Sequence, residues 1–358
     1  MVDMKFKKVG VFGLGKVGSL VATLLHNTGF DVTGVDAYEK MDLPFECDTL
    51  DVTDKAMLTN FIQSQESVVS CLPYFLNMDI AKIAADNGVH YFDLTEDVPT
   101  TNYILDLAKT ANCVMAPQCG LAPGVIGIIG ADLAKDFDSI RHIKLRVGAL
   151  PQNPTGLLGY SFTWSADGVI NEYLNDCEVI ENGERKTVSP LEWFETVYID
   201  GQELEAFTTS GGLGTMCETY ADKAENLDYK SMRYPGHGRQ MNFLLHELLM
   251  RDNPRETAKF LSEAKPPVAD DIVYVHAAVE GEKDGAAARE EFVNAYKPIM
   301  IGDEQWRAIS WTTAASICAV IEMVASGQLP DKGFIRQEDI PFDQFLETQN
   351  GVYYKKGN

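Results

Sequence analysis

A chain of 358 residues with a formal charge of −23 and an ordinary hydrophobic share is long enough for two α/β domains. With no clustered Lys/Arg face, that charge excludes binding to a nucleic-acid backbone and reads as surface solubility or adaptation to salt. The start leads straight into a strand and not into a signal segment, no stretch reaches the roughly 18 unbroken apolar residues of a membrane span, and the seven scattered cysteines include no C-x-x-C pair, so a cytoplasmic protein with no membrane partner and no metal site is expected.

The β-branched and aromatic run Lys8–Phe12 predicts a strand, and Gly13-Leu14-Gly15-Lys16-Val17-Gly18 follows it without a spacer. A helix opens there, because Val17, Leu20, Val21, Leu24 and Leu25 recur at helical spacing and Gly29 supplies a C-terminal cap. Val32–Val35 predicts a second strand, ending on Asp36. Next come a strand over Cys47–Val52, a helix capped by Thr53, a strand over Ser67–Cys71, a helix near Leu76–Asp86 and a strand over Val89–Asp93. A helix near Tyr103–Thr110 and a strand over Cys113–Ala116 complete the series. This alternation predicts a Rossmann-type doubly wound parallel sheet, and with it an α/β fold, over residues 1–122.

In that setting the glycine motif is chemically specific. Gly13 permits the tight turn, Gly15 lets a pyrophosphate approach the backbone between Leu14, Lys16 and Val17, and Gly18 lets helix and strand pack closely. The phosphates are expected at the helix N-terminus, where unpaired N–H groups and the dipole favour an anion. Asp36 is placed to accept bonds from the adenosine ribose hydroxyls and to repel a 2′-phosphate, which favours NAD over NADP; Lys40, close by, softens the preference. Ligands of such sheets lie beyond the carboxyl ends of the strands. Asp51 and Val52 are therefore expected beside the adenine, Cys71, Leu72 and Pro73 beside the nicotinamide ribose, and Asp93, Leu94 and Thr95 at the end of the fifth strand. Cys71 fits a small buried residue as well as a contact, and Asp93 fits either a site carboxylate or a cap for the turn that follows.

The turn formers of Pro117–Gly124 mark a boundary, followed by a helix over Val125–Ala134 with Pro123 at its start. Beyond it hairpins replace the alternation: strands over Ile140–Leu150 and Tyr160–Ser165, pairs turning at Asn182-Gly183 and Asp200-Gly201, and a pair formed by Tyr274–Glu280 and Arg289–Tyr296. A second α+β domain with a mostly antiparallel sheet is expected over 123–303. A long apolar helix from about Glu304 to Ala325 begins the C-terminal segment 304–358, which is expected to pack back on the first domain.

Five segments together resemble the saccharopine dehydrogenase family, and within it the branch of lysine 6-dehydrogenases: the glycine loop, Cys119-Gly120-Leu121-Ala122-Pro123-Gly124, Leu150-Pro151-Gln152-Asn153-Pro154, Trp164–Gly168 leading to Glu172-Tyr173, and Tyr229–His237. Ala149 stands where a glycine is expected and Ser231-Met232 where threonine and leucine are usual. The resemblance implies a homodimeric, NAD-dependent enzyme that oxidises the side-chain amine of L-lysine to an imine, releases ammonia and leaves a semialdehyde that cyclises. Such chemistry needs a base for the ammonium and a fixed cation for the α-carboxylate. Arg233 is the candidate clamp, with a surface ion pair as its other reading; His237 is the candidate base, with a helix-start or packing role as its other reading. Asp93 and Tyr160 are further candidates for handling the amine, and Cys119 for facing the nicotinamide. Two alternatives stand beside this reading: a saccharopine- or carboxynorspermidine-type dehydrogenase acting on a secondary amine, and a non-catalytic regulator that binds NAD. A regulator needs the glycine loop but neither Arg233 nor His237.

Overall fold

The computed structural model describes residues 4–356. They form two compact units, the chain up to Gly124 together with Ser310–Lys356, and Val125–Ile309, so the divisions fall after Gly124 and Ile309 where the sequence suggested 122 and 303.

The first unit begins with β1 (Lys8–Phe12), α1 (Gly18–Thr28), β2 (Asp31–Asp36) and β3 (Glu46–Thr49). It continues with α2 (Lys55–Gln63), β4 (Ser67–Ser70), α3 (Asn77–Asn87), β5 (His90–Asp93), α4 (Val98–Ala108) and β6 (Val114–Ala116). Leu20, Val21, Leu24 and Leu25 of α1 are buried, as their helical spacing requires, each burial being worth about 1.5–3 kcal/mol. Gly29 closes the helix with φ 101°, a left-handed cap. Two caps differ from expectation. Asp54, not Thr53, starts α2 by accepting the Ala56 and Met57 N–H groups, and α4 starts at Val98 because Asp97 accepts the Thr100 N–H while Pro99 sits in the first turn, where it costs no hydrogen bond.

The second unit holds α5 (Val125–Ala134), β7 (Ser139–Pro151), α6 (Ala166–Leu174), β8 (Cys177–Glu181), β9 (Glu184–Val188), β10 (Glu195–Ile199) and β11 (Gln202–Thr208). Then follow α7 (Met216–Thr219), β12 (Ala224–Arg233), α8 (His237–Asn242), α9 (Pro254–Ala264), β13 (Asp271–Lys283), β14 (Ala286–Tyr296), β15 (Ile299–Ile301) and β16 (Glu304–Trp306). Its eight-stranded sheet runs β10-β11-β12-β7-β13-β14, with β8 and β9 appended through β12. Only β12 and β7 pair in parallel. Asn182 and Gly183 both adopt positive φ, as do Asp200 and Gly201, which is the requirement of a two-residue hairpin turn. The run Tyr160–Ser165 has the alternation of a strand but joins no sheet: Tyr160 and Phe162 point their rings into the core, and Ser165 caps α6.

The last long helix, α10 (Ala308–Ala325), starts four residues later than its apolar pattern suggests, because Glu304–Trp306 pairs with Ile299–Ile301. Its first N–H groups, at Ala308 and Ile309, donate to the carboxylate of Asp271, at 2.7 and 2.9 Å. Where the sequence led to the expectation of no membrane span, this helix is long and apolar enough by length and composition to cross a membrane, yet 94% of it is buried in the protein. The short β17 (Gly333–Phe334) adds in parallel to β6, giving the seven-stranded parallel sheet β17-β6-β5-β4-β1-β2-β3. Strand order reverses between β1 and β4, and that reversal is where sheets of this kind hold ligands.

Candidate functional site

In the first unit the glycine loop connects β1 to α1 at the carboxyl edge of the sheet, beside the reversal. Gly13 has φ +85° and its N–H donates to the Val35 carbonyl at 2.8 Å. A Cβ on Gly18 would lie 1.8 Å from the Gly13 carbonyl oxygen, so only glycine allows this closeness. Gly15 differs from both. A Cβ there would meet nothing within 4 Å and its φ is not positive, so neither packing nor backbone shape demands glycine. The space it leaves is the cradle a pyrophosphate needs. Helix α1 has no side-chain cap and no acidic residue in its first turn, which leaves its positive end available to an anion. The residues present therefore fit a dinucleotide.

Asp36 ends β2. Its carboxylate accepts the Leu14 N–H at 2.9 Å and the Tyr38 N–H at 3.1 Å, and Lys40 Nζ lies 3.7 Å away. Asp51 and Val52 lie past the end of β3, in the turn before α2, where Asp51 accepts both the N–H and the hydroxyl of Thr53. Those bonds hold its carboxyl below the usual range and give it a turn-forming role. Cys71, Leu72 and Pro73 follow β4; desolvation, with the Asp93 charge, pushes the Cys71 thiol up to about 12, so it is not a thiolate.

Asp93 is fully buried, and the protein itself satisfies its carboxylate. One oxygen accepts the Thr95 and Gln118 N–H groups at 2.9 and 3.0 Å; the other accepts the Tyr91 hydroxyl at 2.7 Å and the Asn77 amide at 3.3 Å. Burial raises its pKa to about 6 against these bonds. It serves as the tie between the loops after β5 and β6, and not as a group projecting toward a substrate amine. Thr95 accepts the Asp97 N–H, and Leu94 precedes it half-buried. Glu96, which the sequence did not single out, follows on the same edge. It is half-buried, and desolvation together with Asp97 and Asp93 pushes its carboxyl up to about 7, its own N–H opposing. Cys119 is fully buried; its thiol donates to the Ala116 carbonyl at 3.2 Å and burial raises its pKa, so it is a packing residue.

In the second unit β12 delivers Arg233 and the turn after it delivers His237, in a cluster with Tyr160, Tyr173 and Phe207. Arg233 is 3% exposed. Its Nε donates to the Tyr173 oxygen at 2.9 Å, a terminal nitrogen donates to the Met232 carbonyl at 2.8 Å, and the guanidinium lies 4.9 Å from the Tyr160 ring centroid. This is no surface ion pair. The described hydrogen bonds engage two of its five N–H donors.

His237 has both ring nitrogens occupied. Nδ1 is 3.0 Å from the Leu158 carbonyl, which only accepts, so Nδ1 carries the proton; Nε2, 3.1 Å from Tyr173, then accepts that hydroxyl. Burial first, and the Arg233 charge second, lower its pKa to about 3 against the Leu158 bond. The expected base is thus a neutral ring that fixes Tyr173, which in turn fixes Arg233. Tyr160 also orients: its ring packs at 5.0 Å against His237 and its hydroxyl accepts the Trp164 N–H at 3.2 Å. Glu172 and Tyr173, adjacent on α6, were visible in the sequence only as part of a matched segment. The other two buried cations of the unit are neutralised locally, Arg146 by Glu195 and Asp228, and Lys230 by the same pair.

The family model described as the saccharopine dehydrogenase NADP binding domain matches residues 9–117, and the model described as the saccharopine dehydrogenase C-terminal domain matches residues 120–352. Rat mitochondrial alpha-aminoadipic semialdehyde synthase is 25% identical over 261 residues, covering 66% of this chain and 28% of the relative. A saccharopine dehydrogenase (NADP(+), L-glutamate-forming) of Pyricularia oryzae is 23% identical over 280 residues, covering 74% of this chain and 62% of the relative. The chain thus spans less than two thirds of the length of either. Among solved structures, the apo saccharopine dehydrogenase (L-Glu forming) of Saccharomyces cerevisiae superposes with a TM-score of 0.76 at 16% identity, covering 97% of this chain and 98% of that one, a likeness of fold.

Proposed function

Because the chain belongs to the saccharopine dehydrogenase family, we propose that it is a nicotinamide-dinucleotide-dependent dehydrogenase that oxidises a carbon–nitrogen bond of an amino acid. The observation that carries this reading is the presence in one chain of a glycine cradle shaped for a pyrophosphate and a guanidinium buried among aromatic rings. A dinucleotide-binding regulator has no need of the second feature.

The substrate is L-lysine, oxidised at its side-chain amine. Arg146 and Lys230 are paired with Glu195 and Asp228, and Arg233, on whose charge the buried Glu172 also acts, is the buried cation of the aromatic cluster; one such cation suits one carboxylate, and saccharopine carries three. Arg233 holds the α-carboxylate by two-point contact, and Tyr173 and His237 keep its fork in place. A base takes the proton from the substrate ammonium, leaving the neutral amine whose lone pair expels the hydride. The dinucleotide, when bound, accepts that hydride. Water then adds to the iminium carbon and ammonia leaves, giving the semialdehyde. The names of the relatives support a second reading, in which the substrate is saccharopine and the bond broken is that of a secondary amine.

For the dinucleotide, two observations oppose each other. Asp36 by itself implies NAD, whereas the matched domain and the fungal relatives carry NADP in their names. Lys40 beside Asp36 offsets part of the charge and supplies a cation for a 2′-phosphate, so kinship favours NADP. Initial-rate assays with lysine and saccharopine, each with NAD and NADP, test the whole reading. Reduction by lysine is expected; reduction by saccharopine alone establishes the second reading, and no reduction by either while dinucleotide still binds would leave a regulator.

A further inference from the structure

Gln337 lies just past β17 and is 4% exposed. Its Nε2 donates to the Pro117 carbonyl at 3.2 Å and lies 3.3 Å from Cys119 Sγ, while its Oε1 is buried with no hydrogen-bond partner. The amide cannot be turned over to relieve this, because Oε1 would then face the Pro117 carbonyl, acceptor against acceptor. An acceptor left unmade in the interior calls for a donor.

Its place in the fold says which donor. Because β17 runs parallel to β6, the chain leaves both strands at the carboxyl edge, where Gln118 holds a left-handed φ of 65°. The edge of β4, β5 and β6 lies on one side of the strand-order reversal, and Asp36, the ribose-reading residue, lies on the other. A dinucleotide spread across the reversal puts its adenosine on the Asp36 side and its nicotinamide on the Gln337 side. The nicotinamide carboxamide carries an NH2 group, a neutral donor that matches the orphaned oxygen.

We propose that Gln337 Oε1 accepts a hydrogen bond from the nicotinamide carboxamide, and so is the residue that reads the reactive ring. The inference rests on the dinucleotide reading above. Pro117 and Cys119 hold the side chain in place, which gives the loop after β6 a function that its buried thiol alone does not explain.

Equilibrium binding, followed by calorimetry without substrate, tests it with three probes: the oxidised dinucleotide, its 3-acetylpyridine analogue, whose acetyl group has no N–H, and ADP-ribose, which has no ring. The wild-type protein should bind the carboxamide form about tenfold more tightly than the acetyl form, the worth of one hydrogen bond. In Gln337→Met that ratio should fall to near one, with ADP-ribose affinity unchanged. A wild-type ratio near one, or an undiminished ratio in the variant, overturns the proposal while ADP-ribose binding keeps the dinucleotide reading. Failure of ADP-ribose to bind overturns both. A wild-type ratio near one overturns the proposal even where the variant does not fold.

Discussion

Arg233→Met is expected to lower kcat/KM by roughly 10²–10³-fold while leaving dinucleotide binding unchanged. The estimate follows from the cost of removing one partner of a buried, hydrogen-bonded charge pair, about 2–5 kcal/mol. Methionine keeps the packing against Tyr160 but leaves the substrate carboxylate without a partner and Tyr173 without the donor that fixes its oxygen. Both KM and kcat should suffer, because the same contact binds the amino acid and aligns its amine. Lysine at this position is not expected to rescue, since the Nε contact to Tyr173 and the planar fork are lost together. Steady-state kinetics beside dinucleotide titration measures both effects, and a variant with wild-type kcat/KM would remove Arg233 from substrate binding.

Two alanine substitutions in the glycine loop should part company. Gly18→Ala places a methyl 1.8 Å from the Gly13 carbonyl oxygen, a backbone atom that cannot move aside without opening the turn. Strain of this kind costs typically 1–3 kcal/mol or more, so the variant should melt earlier and lose dinucleotide affinity. Gly15→Ala meets no protein atom within 4 Å and sits at a φ that alanine tolerates, so its melting temperature should hold. Its affinity for the dinucleotide should still fall at least tenfold, on the order of 1.4 kcal/mol, because the methyl occupies the space of the pyrophosphate. Thermal melting and titration on both variants separate the two glycines. Equal melting temperatures for the two variants would show that Gly18 is not needed for packing.

The loop was legible in the sequence because its demands are local: a strand, a turn and a helix start within a dozen residues. The same holds for the hairpin turns at Asn182-Gly183 and Asp200-Gly201, whose backbone shape only a few residue types adopt. The strand expected over Cys47–Val52 ran too long because a β-branched run does not say where pairing stops; β3 ends at Thr49, and Asp51 turns the chain. Tyr160–Ser165 misled for a related reason, since alternation predicts burial on one face but not a partner strand.

The chain's local order was sufficient for the parallel sheet, the phosphate cradle and the nearness of Arg233 to His237, which are contacts and periodicities within short spans. Protonation and access depended on residues distant in sequence. Tyr173 and Leu158 take both nitrogens of His237, while burial and the Arg233 charge leave it neutral; Tyr91, Asn77 and Gln118 saturate Asp93. Glu96, one residue beyond the expected site, keeps the carboxyl that titrates near neutrality, and Gln337 meets Pro117 from 220 positions away. Residue type and spacing determine which groups arrive at the sheet edge; only tertiary packing decides which of them are desolvated, which are already hydrogen-bonded, and which remain to act.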